Sequence, residues 1–157
     1  MEIKELIKSD YWILEEFIYW AIFTPPGVAL PKRNVILDPA ISIYINDFGK
    51  VSDCGVFAEI DGKPVGAAWV RIIPAFGHID DSTPELAISV LPEYRSQGIG
   101  TQLMEKLFEL LLQRGYKQTS LAVQKENPAL KFYQRLGYEI VGEKTEEYVM
   151  VKLLTAP

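Results

Sequence analysis

The stretch from Leu86 to Gly115 sets the strongest limits on what this chain can fold into. Leu86 to Leu91 is apolar on both faces, the pattern of a buried strand. Pro92 ends it, and a polar turn carrying Gly98 and Gly100 follows. Ile99, Leu103, Leu107, Leu110 and Leu111 then recur at helical spacing, with Met104 and Phe108 widening the stripe. The stretch therefore reads strand, glycine turn, helix. The first N–H groups of a helix have no internal partner and carry about half a positive charge. Glycines without a Cβ let an anion come close to those donors. Two nucleotide-binding loops fail here. A Walker A loop needs Lys and then Ser or Thr after the second glycine, and a dinucleotide fingerprint needs glycine where Leu103 stands.

The rest of the chain alternates strands and helices. Met1 to Ile7 reads as a short strand or extended lead, and Ser9 or Asp10 as the cap of a helix to about Phe23. That helix is aromatic nearly all round (Tyr11, Trp12, Phe17, Tyr19, Trp20, Phe23), so something must cover it. It is either core beneath a loop or the wall of an acceptor site or dimer contact. Thr24-Pro25-Pro26-Gly27 stops it, residues 28–37 are irregular, and Asp38-Pro39 opens a second helix ending before Gly49. Gly55 to Ile60 and Val65 to Ile73 form a hairpin about Asp61-Gly62-Lys63-Pro64, with Val65, Ala67 and Trp69 on one face. A polar loop, 74–84, leads into the central strand. Beyond Gly115 come a strand (Gln118 to Val123), a short helix opened by Asn127-Pro128, and two last strands, Tyr138 to Val141 and Glu147 to Leu154. That order is a mixed α/β sheet domain, not a doubly wound one.

Size and composition narrow the function. A chain of 157 residues with 48% hydrophobic and 24% charged content fits one soluble globular domain. A net charge of −5 argues against nucleic acid as partner and suits a cationic acceptor such as an amine. Cys54 is the only cysteine, so a reducing compartment is the default, and Glu2 and Glu5 stand where a signal peptide would be basic. The uncharged run from Phe17 to Leu30 is broken by prolines and too short to span a membrane. A cytoplasmic protein is expected.

Arg95-x-x-Gly98-x-Gly100 resembles the pyrophosphate loop of the GNAT superfamily of acyl-CoA-dependent N-acetyltransferases. Asn127-Pro128-Ala129, Phe132-Tyr133 and Gly137-Tyr138 resemble that superfamily's second signature, and they lie at the expected distance after the first. The likeness covers roughly residues 55–154. It implies a single GNAT-like domain over 1–157: a mostly antiparallel, twisted sheet of six to seven strands with a splayed central pair and helices on both faces. Residues 1–54 would be the acceptor side and 55–154 the acyl-CoA-binding core.

The resemblance also implies roles. Ile88, Ser89 and Val90 would form a bulged strand edge that hydrogen-bonds the pantetheine arm of acetyl-CoA. Ser96, Gln97, Gly98, Ile99, Gly100 and Thr101 would hold the pyrophosphate through backbone N–H groups, with Arg95 at the start of the turn. Asn127 would bond the pantetheine, Tyr133 would face the sulfur as general acid, and the Val90 N–H would stabilise the oxyanion. The first candidate for general base is Glu85, with Asp80, Asp81, Glu59 or water as alternatives and a solvated strand-end charge as the bland reading. His78 reads as a surface residue, Cys54 does not read as a nucleophile, and no metal-ligand spacing is present. The function implied is acetyl transfer from acetyl-CoA to a primary amine by direct attack in a ternary complex. The alternative is a catalytically silent acyl-CoA-binding module. An exposed final strand or the aromatic helix could make a homodimer.

Overall fold

In the computed structural model, which describes residues 1–155, seven strands form one sheet in the order β1-β2-β3-β4-β5-β7-β6. They are β1 (Glu2–Glu5), β2 (Cys54–Ile60), β3 (Lys63–Arg71), β4 (Glu85–Val90), β5 (Gln118–Gln124), β6 (Glu139–Glu143) and β7 (Glu147–Leu153). The helices are α1 (Leu14–Ala21), α2 (Pro39–Ser42), α3 (Ile99–Gln113) and α4 (Ala129–Arg135). Every neighbouring pair is antiparallel except β4 and β5, which run parallel and share a single register pair, Glu85 with Ser120. Beyond that pair the two strands diverge, and the middle of the sheet opens into a slot.

Alternation along the strands distributes the core over both faces. Leu86, Val56 and Val70 meet Leu103, Met104, Leu107 and Leu111 of α3. Ala87, Phe57, Ala67 and Trp69 meet Leu14, Phe17 and Ile18 of α1. Val65 departs from the alternation read in the sequence: it packs on the α3 side with Ala68 and Val70. A register shift between Ala58 and Glu59 explains this, because Ala58 pairs with Gly66 and Glu59 with Pro64, leaving Val65 as the extra residue. The bulge implied for β4 is absent. Its ladder with β3 runs without a shift from Arg71–Glu85 to Gly66–Val90.

The first fifty residues differ most from expectation. Lys8–Ile13 is a 3-10 helix, and only Leu14–Ala21 is α-helical. The Asp10 carboxylate accepts the Ile7 N–H at 3.0 Å and keeps the first turn tight. The aromatic rings therefore scatter: Tyr11 lies edge-on to Phe48, Trp12 is 72% exposed, and Phe17 and Tyr19 are buried. Residues Arg33–Leu37, expected to be irregular, form another 3-10 turn. Its Arg33 pairs with Glu16 and stacks 4.1 Å from the Tyr19 ring, so this segment lies over α1.

The second helix is also shorter than expected, ending at Ser42 instead of running towards Gly49. The carbonyls of Ile43 and Asn46, which a longer helix would use internally, accept hydrogen bonds from Arg71 at 2.9 and 2.7 Å.

Candidate active site

Backbone geometry defines the slot. The Leu91 N–H donates to Val65 of β3 at 2.9 Å, so by strand alternation the N–H and C=O groups of Ile88 and Val90 face away from β3, into the opening. The Val90 carbonyl is taken by Arg95 Nε at 3.0 Å, which fixes Arg95 at the start of the turn. The Val90 N–H has no ladder partner on that side. Ser89 points to the other face, where its hydroxyl donates to the Phe17 carbonyl at 2.6 Å. Its side chain therefore locks α1 onto β4.

Three cavities lie along this slot. At one end, Val90, Arg95, Ser96, Gly98, Ile99, Gly100, Thr101, Phe132 and Arg135 enclose about 260 Å³ at the start of α3. No side chain caps this helix and no acidic residue stands in its first turn. Gly98 has φ +81° and Ser96 φ +62°, the left-handed conformations that curl a turn around a pocket. A Cβ on Gly98 would meet nothing within 4 Å, whereas one on Gly100 would touch Phe132 at 3.4 Å. Free N–H groups and two guanidinium groups thus face a space the size of a phosphate or two.

The middle cavity, about 700 Å³, runs between the end of α1 and α4. Trp20, Ala21, Ile22, Phe23, Pro26 and Leu30 wall one side, and Ile88, Ser89, Val90, Asn127 and Tyr133 the other. Asn127 is held internally: its Oδ1 accepts the Ala129 N–H at 2.9 Å and its Nδ2 donates to Gln124 at 3.2 Å. That arrangement caps α4 and leaves Asn127 one N–H for anything in the cavity.

The third cavity is a pocket of about 150 Å³ that shares Ala21, Ile22, Phe23, Ile88 and Tyr133 with the middle one. Tyr133 stands at the junction. Its ring packs against Phe132 and Tyr138, and burial pushes its phenol up to about 12. Ile18, Ile41, Phe76 and Leu121 make the small pocket's walls apolar, and Tyr44, Gln124 and Glu147 supply its polar groups.

Glu85 lies beneath this pocket. The solvated strand-end reading is wrong, because the residue is only 1% exposed. Its Oε2 accepts the Tyr44 hydroxyl and the Gly77 N–H, the latter at 2.9 Å, while its Oε1 has no partner. Burial raises its pKa above the ordinary carboxylate range, against the pull of those two hydrogen bonds. Gly77 reaches this position because it lies flat on β5. A Cβ there would come within 2.7 Å of the Leu121 backbone, and its carbonyl accepts the Ser120 hydroxyl at 2.7 Å.

The alternative carboxylates lie elsewhere. Glu59 is ion-paired with Lys4 at 2.9 Å near the β1 edge, and Asp81 is exposed. Asp80 accepts the Ser82 N–H in its own loop. His78 is half-buried, with Nε2 3.6 Å from Asp81 and a buried Nδ1 that has no partner. Burial pushes the Cys54 thiol up to about 11, away from nucleophilic use. Among the described residues no group of three or more His, Cys, Asp or Glu could hold a metal, and no helix is long and apolar enough to cross a membrane.

Tyr44 is the site residue that sequence reasoning missed. It sits beyond the short α2, where Arg71 and Trp69, both on β3, hold its segment by backbone carbonyls. Trp69 Nε1 donates to the Tyr44 carbonyl at 2.9 Å.

Comparison with known proteins agrees with this geometry. An uncharacterised N-acetyltransferase of Methanocaldococcus jannaschii is 37% identical over 107 residues, 61% of this chain and 44% of that protein. The chain spans about half the length of the curated relatives it matches. The solved ribosomal-protein-S18-alanine N-acetyltransferase of Escherichia coli superposes with a TM-score of 0.69 at 20% identity, covering 99% of this chain and 95% of that one. An aminoglycoside 6'-N-acetyltransferase solved with coenzyme A gives 0.70 at 18% identity, covering 100% and 99%. At those identities the likeness is one of fold. Residues 15–138 match the Acetyltransferase (GNAT) family, and the chain belongs to it.

Proposed function

We propose that this protein transfers an acetyl group from acetyl-CoA to a primary amine by direct attack in a ternary complex. The observation that carries the reading is the slot. A phosphate-sized, donor-lined cavity opens through an elongated apolar one onto a small pocket with a buried carboxylate beneath it. A relative solved with coenzyme A has the same fold.

In this reading the backbone N–H groups from Ser96 to Thr101 hold the pyrophosphate, with Arg95 and Arg135 adding charge. Ile88 offers the pantetheine a strand edge, and its N–H and C=O groups pair with it as a neighbouring strand would, while Val90 keeps its carbonyl on Arg95 and its N–H for the thioester. The thioester then lies at the junction of the two inner cavities, beside Tyr133 and the Val90 N–H. That N–H donates to the carbonyl oxygen as negative charge develops on it, a contribution typically about 10²–10³ in rate.

A lysine-like amine with pKa about 10.4 is mostly protonated at pH 7, and freeing its lone pair costs about 4–5 kcal/mol. Glu85, raised by burial, is the base that takes this proton, and Tyr133 protonates the departing sulfur. The raised phenol pKa of Tyr133 keeps its proton in place until the thiolate forms.

Tyr133→Phe separates chemistry from binding. The hydroxyl makes no hydrogen bond among the described residues and the ring packing is retained, so acetyl-CoA affinity should stay within about twofold while turnover falls about 10²-fold or more. Equal turnover in the variant would remove Tyr133 from catalysis. Isothermal titration with acetyl-CoA, followed by thiol-release assays over a panel of amines, tests the whole reading. Binding with turnover supports the enzyme, and binding without turnover on any amine would favour a silent acyl-CoA-binding module.

A further inference from the structure

We infer that the acceptor amine meets Tyr44, not Glu85, and that the two residues act as one proton-accepting pair. This rests on the acetyltransferase reading above. Glu85 is 1% exposed and lies outside the small pocket's lining, whereas Tyr44 is part of that lining and its hydroxyl donates to Glu85 Oε2. Among the described residues Tyr44 is the one pocket side chain that hydrogen-bonds the carboxylate. An amine in the pocket therefore reaches the carboxylate only through the phenol oxygen.

The arrangement suits a concerted transfer. Burial and the neighbouring carboxylate disfavour a Tyr44 phenolate, so the phenol gives up its proton only as it receives another. The phenol oxygen's one hydrogen bond among the described residues is the one it donates to Glu85, so its lone pairs are open to an incoming N–H. The Glu85 carboxylate is fixed by the Gly77 N–H and needs no movement to accept. The other titratable groups around the pair are His78 in the preceding loop, Lys144 in the β6–β7 turn and Glu147 on β7. Lys144 is held by the Phe76 carbonyl at 2.9 Å and faces Glu147 at 3.5 Å, so the pocket rim carries a paired Glu147 and the floor carries the Tyr44–Glu85 pair.

The step balances as follows. The ammonium gives one proton to Tyr44 Oη as the Tyr44 proton passes to Glu85 Oε2. The freed lone pair forms the C–N bond to the acyl carbon, the C–S bond breaks, and the sulfur takes the Tyr133 proton. The nitrogen's second proton goes to solvent, Tyr133 recovers one from solvent, and Glu85 discharges its own. The net change converts an ammonium and a thioester into an amide, a thiol and one proton.

Two small nucleophiles test this: ethylamine, as basic as a lysine side chain, and hydroxylamine, unprotonated at neutral pH. Both fit a pocket of about 150 Å³. With Tyr44→Phe and with Glu85→Gln, kcat/KM for ethylamine at neutral pH should fall about 10²-fold, and for hydroxylamine about threefold or less. The ethylamine deficit should shrink as pH rises towards the amine's own pKa. Equal losses on both nucleophiles at every pH would make Tyr44 a packing residue and overturn the inference, as would no loss at all. If Tyr44→Phe fails to fold, Glu85→Gln carries the same comparison. Acetyl-CoA binding by the unaltered protein with no transfer to either nucleophile would overturn the placement of the amine in this pocket. Absence of acetyl-CoA binding would instead overturn the acetyltransferase reading.

Discussion

Gly98→Glu will reduce acetyl-CoA affinity by about a thousandfold while leaving the fold intact. Gly98 has φ +81° at the N-terminus of α3, and a Cβ there meets nothing within 4 Å. Steric clash is therefore not the cause. A side chain in the left-handed region costs about 1–2 kcal/mol, which a domain of this size tolerates. The larger effect is charge. A carboxylate about 4 Å from a phosphate at an effective dielectric of about 20 is repelled by roughly 4 kcal/mol per unit charge. Gly98→Gln isolates that contribution, since it has the same size and backbone strain without the charge. Titration of acetyl-CoA into both variants should show the Gln form weakened about tenfold or less and the Glu form close to unmeasurable, with partial recovery at high salt. Equal affinities in the two would mean that no phosphate group lies against this turn.

Arg71→Met will cost about 3–5 kcal/mol of stability, the usual penalty for removing one partner of a buried ion pair. Arg71 and Asp53 side chains are 3% and 2% exposed, with Nη2 3.0 Å from Oδ2 and Nε 3.1 Å from Oδ1. The other guanidinium nitrogen holds the Ile43 and Asn46 carbonyls. Methionine fills similar volume but leaves a buried carboxylate with only the Gly49 and Lys50 N–H groups at 3.0 Å. Urea unfolding should report the loss, equivalent to roughly 6–20 °C in melting temperature. The double variant Arg71→Met/Asp53→Leu should recover much of it, because no unpaired charge remains. A single-variant loss below about 1 kcal/mol would mean that water reaches Asp53. Amine transfer should fall in the single variant too, since the freed segment carries Tyr44.

The contrast between Gly98 and Tyr44 shows what could be read from the sequence. Gly98, Gly100 and the stripe from Ile99 to Leu111 act locally: each residue's effect depends on neighbours a few positions away, so the turn and helix were legible as a unit. The α4 segment was legible for the same reason. Glu85 was visible as a carboxylate at a strand start, but its burial was not, because the residues that bury it are Tyr44 and Gly77. Tyr44 lay hidden because no periodicity marks it. Its position follows from an arginine and a tryptophan twenty-five or more residues away that capture backbone carbonyls. The scattered rings of residues 11–20 misled in the same way: their pattern reads as a helix apolar all round, and a tight 3-10 start turns Trp12 outward while Phe17 goes to the core.

The single register pair between β4 and β5 also has a mechanical meaning. The sheet is two plates, β1–β4 and β5-β7-β6, bolted at one corner where the Ser120 N–H meets the Pro84 carbonyl at 3.0 Å. Beyond that corner no register pair among the described residues joins β4 to β5. Glu85 and Gly77 sit at the joined corner, and Val90 lies at the far end of β4. The Glu85 end of β4 is thus tied into both plates, while its Val90 end is held by β3 alone.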